Sequence, residues 1–264
     1  DIPHLVLRGD KATESAKLRA LLADLDALRT KEAAMHAVVF THHVETYETI
    51  RQALFCVFDG HGPYGDQVSH YAMSQIQLRL EEHADFMGDP SRALSETFVA
   101  VDESLKYDTS IDSELSGTTA VVMLLRQEGS VTTLYTANAG DSRAVLAVRA
   151  AAADGGKPTA ADLSEDQKPD TPDEMRRIKG KGGFISPPEE EWGGPARVWL
   201  DASQTLPGLA MARSIGDHMV SSIGVIARPE VCVRELTDDD LFVVLASDGV
   251  WEFIDSQERL DPWP

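Results

Sequence analysis

The sequence predicts an α+β fold whose core is antiparallel β-sheet. Apolar runs of strand length follow one another through short turns, which is the order expected of hairpins. Apolar stripes at helical spacing occur as a neighbouring pair, apart from those runs. Strands and helices that are segregated along the chain in this way favour α+β packing, and a hydrophobic content of 42% is typical of a globular protein.

The first part of the chain predicts three helices and two strands. Leucines recur at helical spacing over residues 14–30, which predicts an amphipathic helix, and Val38-Val39-Phe40 is a candidate short strand. Leu54 to Phe58 is an uninterrupted apolar run that ends at Asp59-Gly60, which predicts a strand buried on both faces. The next two helices carry apolar stripes, formed by Val68, Ala72, Ile76 and Leu80 and by Leu94, Phe98, Val101 and Leu105.

The middle of the chain predicts three consecutive strands. Residues 118–125 and 131–137 are joined through a glycine-containing loop at 126–130, which is typical of an antiparallel hairpin. Residues 144–148 form the third strand. Residues 150–162 are rich in Ala, Gly and Asp without periodicity, and therefore predict a surface loop.

A further helix and a strand are predicted near the end. Thr171 is the expected N-cap, Pro172 takes the first helical position, and Glu174 is expected to close a capping box. This helix is expected to end at Gly182-Gly183. The last strand is the apolar run 241–246, which stops before Asp248-Gly249.

Charge and hydropathy narrow the possible function classes. The chain has 24 Lys+Arg against 44 Asp+Glu, and 24 − 44 gives a net charge of −20. A charge of this sign repels nucleic-acid phosphates, so we expect no nucleic-acid partner, whereas it suits a protein that gathers divalent cations. No apolar run approaches the ~18 residues of a membrane-spanning helix, so none is expected.

The two cysteines, Cys56 and Cys232, both lie within apolar runs. That placement predicts buried thiols in a reducing compartment and not a disulfide framework. We therefore expect an intracellular protein, cytoplasmic or nuclear. We also expect a monomer.

Three aspartates share one local context. Asp59 and Asp248 each follow an apolar strand and precede a glycine, and Asp141 follows a strand and Gly140. If those strands are neighbours, the carboxylates converge at one edge of the sheets and repel one another unless cations lie between them. Oxygen ligands of this kind select Mg²⁺ or Mn²⁺ over Zn²⁺. Turn propensity alone also explains an Asp-Gly pair after a strand, so the pattern is informative only for the three together.

His61 follows Asp59-Gly60 directly. Beside a metal-held phosphate, a histidine can donate a proton to a leaving alkoxide. A surface or structural histidine is the alternative that this residue alone leaves open.

Six ordered segments resemble the signature motifs of the metal-dependent protein phosphatases, the type 2C serine/threonine phosphatases. The first, Phe55 to Gly62, is similar to the family's VFDGHG signature, and six motifs in one order over residues 55–252 are very specific. The other five are Ser116 to Ala120, Asn138 to Ala144, Leu163 to Pro169 with Gln167 in place of the usual histidine, Leu209 to Asp217, and Ala246 to Glu252.

The resemblance implies a fold, an activity and partners. The fold is a four-layer αββα sandwich, in which two antiparallel β-sheets pack face to face and are flanked by helices, and residues 1–264 form a single catalytic domain. The activity is hydrolysis of phosphoserine and phosphothreonine in phosphoprotein substrates by a water or hydroxide that bridges two metal ions.

The resemblance also implies roles for individual residues. Asp59 bridges both Mg²⁺ or Mn²⁺ ions, the Gly60 carbonyl holds one of them, and Asp248 binds the other. Asp141 corresponds to a position that helps to hold a third, weaker ion. His61 is the implied general acid, so that Asp59 and His61 are the catalytic pair. Arg213 and Asp217 match a motif to which we assign a structural role.

Two departures from the family pattern leave a second hypothesis open. Residues 1–54 contain no Arg-x-x-x-Glu-Asp stretch of the kind that grips the phosphate and supports a metal, and no closing Asp-Asn or Asp-Asp box follows before Pro264. The alternative is therefore a catalytically inactive relative that binds phosphoproteins or other partners. An aspartate-nucleophile phosphatase is disfavoured, because its Asp-x-Asp motif would need an aspartate where this chain has His61.

The stretch 186–208 falls where the family carries a mobile flap beside the cleft. The resemblance therefore implies a role for it in the choice of substrate or partner. The run Pro187-Pro188-Glu189-Glu190-Glu191 is also typical of a solvated acidic loop.

Overall fold

The computed structural model describes residues 38–41, 52–149, 158–188 and 194–257. The helix predicted over residues 14–30 lies outside these ranges. The short strand predicted at Val38-Val39-Phe40 is confirmed, because Val38–Thr41 pairs with a strand from the last part of the chain.

The strands and helices follow one another in the order that the sequence predicts, with several short strands added. From the start to the second long helix they are β1 (Val38–Thr41), β2 (Gln52–Val57), β3 (Gly60–His61), α1 (Gly65–Glu82) and α2 (Pro90–Lys106). The middle contains β4 (Gly117–Thr118), β5 (Ala120–Glu128), β6 (Val131–Ala139), β7 (Arg143–Val148), β8 (Thr159–Asp162) and α3 (Pro172–Gly180). The remainder contains β9 (Phe184–Ser186), β10 (Arg197–Trp199), β11 (Pro207–Leu209), β12 (Ile215–Gly216), α4 (His218–Ser221), β13 (Glu230–Glu235), β14 (Asp240–Ala246) and α5 (Asp248–Trp251).

Two four-stranded antiparallel sheets form the centre of the fold. Their strand orders are β1-β14-β7-β8 and β13-β6-β5-β2. Successive residues of a strand point to opposite faces, so Val121 of β5 lies in one hydrophobic cluster and Val122 in another. The cluster of Val121 also contains Leu146 and Leu245 from the other sheet. The two sheets therefore pack face to face across that cluster.

Helices α1 and α2 cover the outer face of the sheet β13-β6-β5-β2. Both predicted apolar stripes are confirmed, because all eight of their residues are buried in the cluster that contains Val122. On the other sheet, Val244 and Ala246 of β14 pack against Val250 and Trp251 of α5. The predicted α+β sandwich is thus confirmed. Within the described ranges, no helix combines the length and the apolar character that crossing a membrane requires.

Two three-stranded sheets complete the architecture. The sheet β12-β4-β3 lies beside α1 and carries His61, whereas the sheet β11-β10-β9 packs against α3 through Ile178 and Val198. The second small sheet takes in part of the stretch 186–208. That stretch is therefore not a plain loop where it is described, since Val198 is fully buried.

Several boundaries differ from the sequence prediction. Strand β2 is the edge strand of its sheet and its residues 53–56 are only partly buried, so the prediction of burial on both faces was wrong. The hairpin of β5 and β6 is confirmed, but pairing continues to Glu128 and leaves Gly129-Ser130 as the turn. Gly129 has a φ of +63°, which suits a tight turn. Thr159–Asp162 is a strand paired with β7, so the predicted surface loop is wrong for those residues.

The beginning of α3 is also different in detail. Thr171 is the N-cap and Pro172 the first helical residue, as predicted, but the Thr171 side chain makes no capping hydrogen bond. The capping box is wrong, because the carboxylate of Glu174 binds Arg177 and Arg213 instead. The buried-thiol prediction also fails for Cys232, which is exposed on the edge strand β13.

Candidate functional site

The three aspartates lie where strands from the two central sheets end. Asp59 follows β2, Asp141 follows β6 and Gly140, and Asp248 is the first residue of α5 after β14. Asp141 is almost fully buried. The sequence predicts that these carboxylates converge at one edge of the sandwich. In the structure Asp59 is close to Asp248 and within electrostatic range of Asp141, but the ligand atoms of the three do not all lie within 4.8 Å of one another.

The carboxyl groups of Asp59 and Asp248 lie close to each other at this edge. The pKa of Asp59 is raised to about 6, first by burial and then by the Asp248 carboxylate, with a smaller effect from Asp141 and an opposing one from His61. Two carboxylates can share a hydrogen bond only if one holds a proton, unless a cation takes the proton's place. A divalent cation between the two carboxylates would offset their repulsion. Carboxylate oxygens are also the ligands that Mg²⁺ and Mn²⁺ prefer.

The raised pKa makes the contribution of Asp59 to stability depend on pH. A carboxyl with a higher pKa in the folded state favours folding while it is protonated, and that contribution is lost as the pH rises through about 6. In metal-free buffer we expect the Asp59→Asn variant, which cannot ionise, to gain stability relative to the wild-type chain between about pH 4 and pH 7. Urea unfolding at several pH values measures that difference, and a flat difference across the range contradicts the assignment.

Asp141 has a basic partner that sequence reasoning missed. The ammonium group of Lys168 lies 2.6 Å from the Asp141 carboxylate. Burial disfavours the charged ammonium, but Asp141, assisted by Asp166 and Asp248, raises the pKa of Lys168 above its usual value. The charge of Asp141 is therefore balanced in part by a basic side chain of the chain itself. The residue belongs to one of the six motifs, but nothing in its spacing indicates which carboxylate it meets.

Hydrogen bonds between distant segments fix the backbone around Asp59. The Asp59 N–H donates to the Thr119 hydroxyl over 3.1 Å, and the Thr119 N–H donates to the Asp59 carbonyl over 3.0 Å. The Thr119 hydroxyl also contacts that of Ser142 at 2.6 Å. A Cβ on Gly140 would lie 2.7 Å from the Thr119 side chain, so only glycine permits this approach.

Gln167, where the family usually has histidine, supports the same turn. Its side-chain oxygen accepts from the Gly140 N–H over 2.7 Å, and its amide nitrogen donates to the Asn138 carbonyl over 3.2 Å. The residue is buried. Gln167 therefore satisfies backbone groups on both sides of the turn that presents Asp141.

The Asp248 turn is attached to the same region through an aromatic side chain. The indole N–H of Trp251 donates to the carbonyls of Arg143 and Ala246 over 3.1 and 2.9 Å. The Arg143 guanidinium lies over the Trp251 ring, 5.5 Å from its centroid, and binds both carboxylate oxygens of Asp166. Trp251 and Arg143 thereby connect the turns that carry Asp248 and Asp141.

Gly60 lies between Asp59 and the start of α1. A Cβ on Gly60 would lie 2.1 Å from the Gly65 carbonyl oxygen, so the helix packs directly on this backbone. The close approach fixes the peptide that follows Asp59 and explains why the position requires glycine. The predicted metal-binding role of the Gly60 carbonyl stays a prediction.

His61 is held by a residue for which the sequence analysis assumed only a structural role. Its Nε2 atom lies 2.7 Å from the Asp217 carboxylate. Burial would lower the pKa of His61, but Asp217 raises it above its ordinary value, with smaller effects from Asp141 and Asp59. The other ring nitrogen, Nδ1, is buried, and no described residue offers it a hydrogen-bond partner.

A second group of possible metal ligands lies away from this edge. Among the described residues, His83, Asp85 and Glu96 are the group of three or more His, Cys, Asp or Glu whose ligand atoms all lie within 4.8 Å of one another. The Asp85 N–H donates to His83 Nδ1 over 3.1 Å, so the ring's hydrogen is on Nε2, which faces Glu96. Arg92 already neutralises both carboxylates. Protein groups thus satisfy this group without an ion.

A family model and two curated relatives identify the same family. A family model described as Protein phosphatase 2C matches residues 26–261. A probable protein phosphatase 2C 35 of Arabidopsis thaliana is 40% identical over 224 residues, which cover 78% of this chain and 62% of the relative. A probable protein phosphatase 2C 64 of Oryza sativa subsp. japonica is 43% identical over 211 residues, covering 78% and 48%. The chain thus spans roughly half to three fifths of the length of these curated relatives.

Solved structures share the architecture at low sequence identity. A serine-threonine phosphatase 2C from Toxoplasma gondii superposes with a TM-score of 0.70 at 20% identity, covering 86% of this chain and 82% of that chain. A C. elegans sex determining protein gives a TM-score of 0.62 at 19% identity, covering 96% and 64%. At these identities the likeness establishes the fold alone.

Proposed function

The chain belongs to the protein phosphatase 2C family, and from this membership we propose that it hydrolyses phosphoserine and phosphothreonine in proteins with the help of Mg²⁺ or Mn²⁺. The observation that carries the proposal is the contact between Asp59 and Asp248. Two strands from different sheets bring these carboxylates close enough together that Asp248 raises the pKa of Asp59. Such a pair costs stability, and a divalent cation would remove that cost.

Different residues of the chain would have different roles at this edge. Asp59 and Asp248 would hold the ions, with the Gly60 carbonyl as a further oxygen ligand. When bound, a pair of divalent cations supplies a water molecule activated for attack at neutral pH and offsets the negative charge of the phosphoryl oxygens. A third ion at Asp141 would have to share the carboxylate with Lys168, whose ammonium group already binds Oδ2.

His61 supplies the proton for the leaving group in this proposal. Loss of an alkoxide from phosphorus is slow unless a proton reaches the oxygen in the transition state. Asp217 occupies Nε2, so Nδ1 is the ring atom left to give that proton, and it can do so when the ring is in the doubly protonated form that the Asp217 carboxylate favours. The ring then keeps its Nε2 hydrogen on Asp217 and regains the Nδ1 proton from solvent. Cys56, although close in sequence to Asp59, is not the nucleophile, since burial raises the pKa of its thiol to about 11 and leaves it protonated near neutral pH.

The catalytically inactive alternative finds no support in the described residues or in the comparisons. Asp59, Asp141, Asp248 and His61 are all in place, although residues 1–37 lie outside the described ranges. Because the chain covers only part of its relatives, the activity of the whole protein is part of the proposal. The monomeric state and the cytoplasmic or nuclear location stay predictions.

A direct assay tests the proposal. We expect the purified chain to release phosphate from a phosphothreonine peptide in Mn²⁺ or Mg²⁺, to stop after excess chelator, and to recover when the ion is restored. The same peptide bearing phosphotyrosine is the specificity control. Turnover that ignores the chelator would rule out the metal-dependent reaction. A correctly folded, metal-binding chain without turnover would favour the inactive alternative.

A further inference from the structure

We propose that Asp217 is a positioning residue that holds the ring of His61 in one orientation. The two side chains can meet because Gly117, which lies between them, has no side chain. The inference rests on the proposed function, in which His61 gives a proton to the leaving group. It assigns Asp217 to the site, although Asp217 belongs to a sequence segment more than 150 residues from His61. Both side chains are well shielded, with 26% of His61 and 5% of Asp217 exposed.

The small sheet β12-β4-β3 creates the contact. Gly117 of the central strand pairs with His61 on one side and with Gly216 on the other. Asp217 follows Gly216, so it reaches toward His61 across the central strand. The two functional side chains therefore meet over the one residue of β4 that lies between them.

Gly117 is the residue that allows this meeting. A Cβ at this position would lie 2.1 Å from Asp217 Oδ2 and 2.7 Å from His61 Nε2, which are the two atoms of the hydrogen bond. Carbon cannot approach either atom so closely without displacing it. Since the backbone of Gly117 has ordinary strand pairing, what the position requires is the absence of a side chain.

The Asp217 turn is held rigidly enough to serve as a support. Asp217 has a φ of 50°, a left-handed conformation that is uncommon outside glycine and persists where neighbouring contacts impose it. Its N–H donates to the Ser116 carbonyl over 2.9 Å. The following residue, His218, lies 2.9 Å from the Ser113 hydroxyl and 3.1 Å from the Asp102 carboxylate.

Asp102 also fastens the other side of the same turn. Its carboxylate accepts from the Gly216 N–H over 2.8 Å. Helix α2, which carries Asp102, is packed into the main core. Hydrogen bonds to the residues before and after Asp217 thus fix its position. Its carboxylate in turn limits the orientation of the His61 ring through a single short hydrogen bond.

Two substrates separate a positioning role from a general structural one. A phosphothreonine peptide needs a proton on its leaving oxygen, whereas 2,4-dinitrophenyl phosphate releases a stable anion and does not. We expect Asp217→Asn to lower turnover of the peptide by ~10-fold to 100-fold and turnover of the aryl phosphate by less than ~3-fold. Gly117→Ala, which breaks the same hydrogen bond from the other side, should show the same selectivity. The control is Asp240→Asn, a buried aspartate at the far end of β14, which should leave the ratio of the two rates unchanged.

A second readout does not depend on turnover. In ¹⁵N NMR of the metal-free protein, His61 Nε2 should carry a hydrogen whether or not Nδ1 is protonated, and Asp217→Asn should change the signals of both ring nitrogens. Equal losses on the two substrates with an unchanged His61 signal would overturn the inference. A wild-type chain that hydrolyses neither substrate would instead refute the proposed function, and the NMR comparison would still decide whether Asp217 orients the ring.

Discussion

Asp59→Asn is expected to lower metal-dependent turnover of a phosphothreonine peptide by ~1000-fold or more, with the fold intact. Asparagine has nearly the same size as aspartate, but it lacks the negative charge that would bind a divalent cation beside Asp248. The backbone of Asp59 is held by Thr119 through two hydrogen bonds that do not involve the carboxylate. The substitution should therefore change the charge without changing the position of the turn.

The same variant should be more stable than the wild-type chain when metal is absent. Near neutral pH the ionised Asp59 is destabilised by burial and by Asp248, and asparagine avoids both effects. A loss of activity together with a gain of metal-free stability is difficult to explain by misfolding. Asp248→Asn should likewise lower metal-dependent turnover, and Asp240→Asn, at the far end of the strand that precedes Asp248, is the matched control. Activity that survives Asp59→Asn unchanged would show that this carboxylate pair is not the metal site.

Glu174→Ala is expected to reduce the free energy of unfolding by ~3–5 kcal/mol, because it removes the buried carboxylate that pairs with both Arg177 and Arg213. Their remaining partners are backbone carbonyls and the half-exposed Glu230. The Glu174 side chain is 3% exposed and lies 2.6 Å from both Arg177 and Arg213, whose side chains are 20% and 9% exposed. Burial alone would raise the pKa of Glu174, but hydrogen bonds from Arg213 and Arg177 bring it below its usual value. The folded structure thus favours the ionised form of Glu174.

The same helix supplies a matched control for this prediction. Asp173, one residue earlier, pairs with Arg176 at 2.7 Å, but their side chains are 82% and 76% exposed. Asp173→Ala should therefore cost less than ~1 kcal/mol. Urea unfolding of both variants at neutral pH compares the two costs. Similar values for Glu174→Ala and Asp173→Ala would mean that the buried network does not stabilise the fold.

The parts of the fold that were predicted correctly have a local physical signal. The stripes of α1 and α2 repeat at helical spacing because a single face of each helix meets the core. Residues 120–125 of β5 and 241–246 of β14 are apolar because both faces of those strands are covered. Asp59 and Asp248 were predicted to lie at strand ends because each is followed by a glycine that is typical of a turn after an apolar strand. Their convergence followed from one further assumption, that the strands are neighbours.

The parts that were not predicted depend on contacts between distant segments. Lys168 meets Asp141, Glu174 meets Arg213, and Asp217 meets His61, and none of these pairs has a spacing that indicates contact. Thr171-Pro172-Asp173-Glu174 illustrates the problem, since the local pattern is that of a capping box while tertiary contacts direct Glu174 into the core. Cys232 failed for a related reason, because an apolar run does not reveal that its strand lies at a sheet edge.

The most direct test of the account is to find where a divalent cation binds. Crystals grown or soaked in Mn²⁺ give an anomalous difference map that locates the ion without reference to activity. The account predicts peaks within about 2.5 Å of carboxylate oxygens of both Asp59 and Asp248. Manganese found only at His83, Asp85 and Glu96, or no peak beside Asp59 and Asp248 at saturating ion, would contradict it.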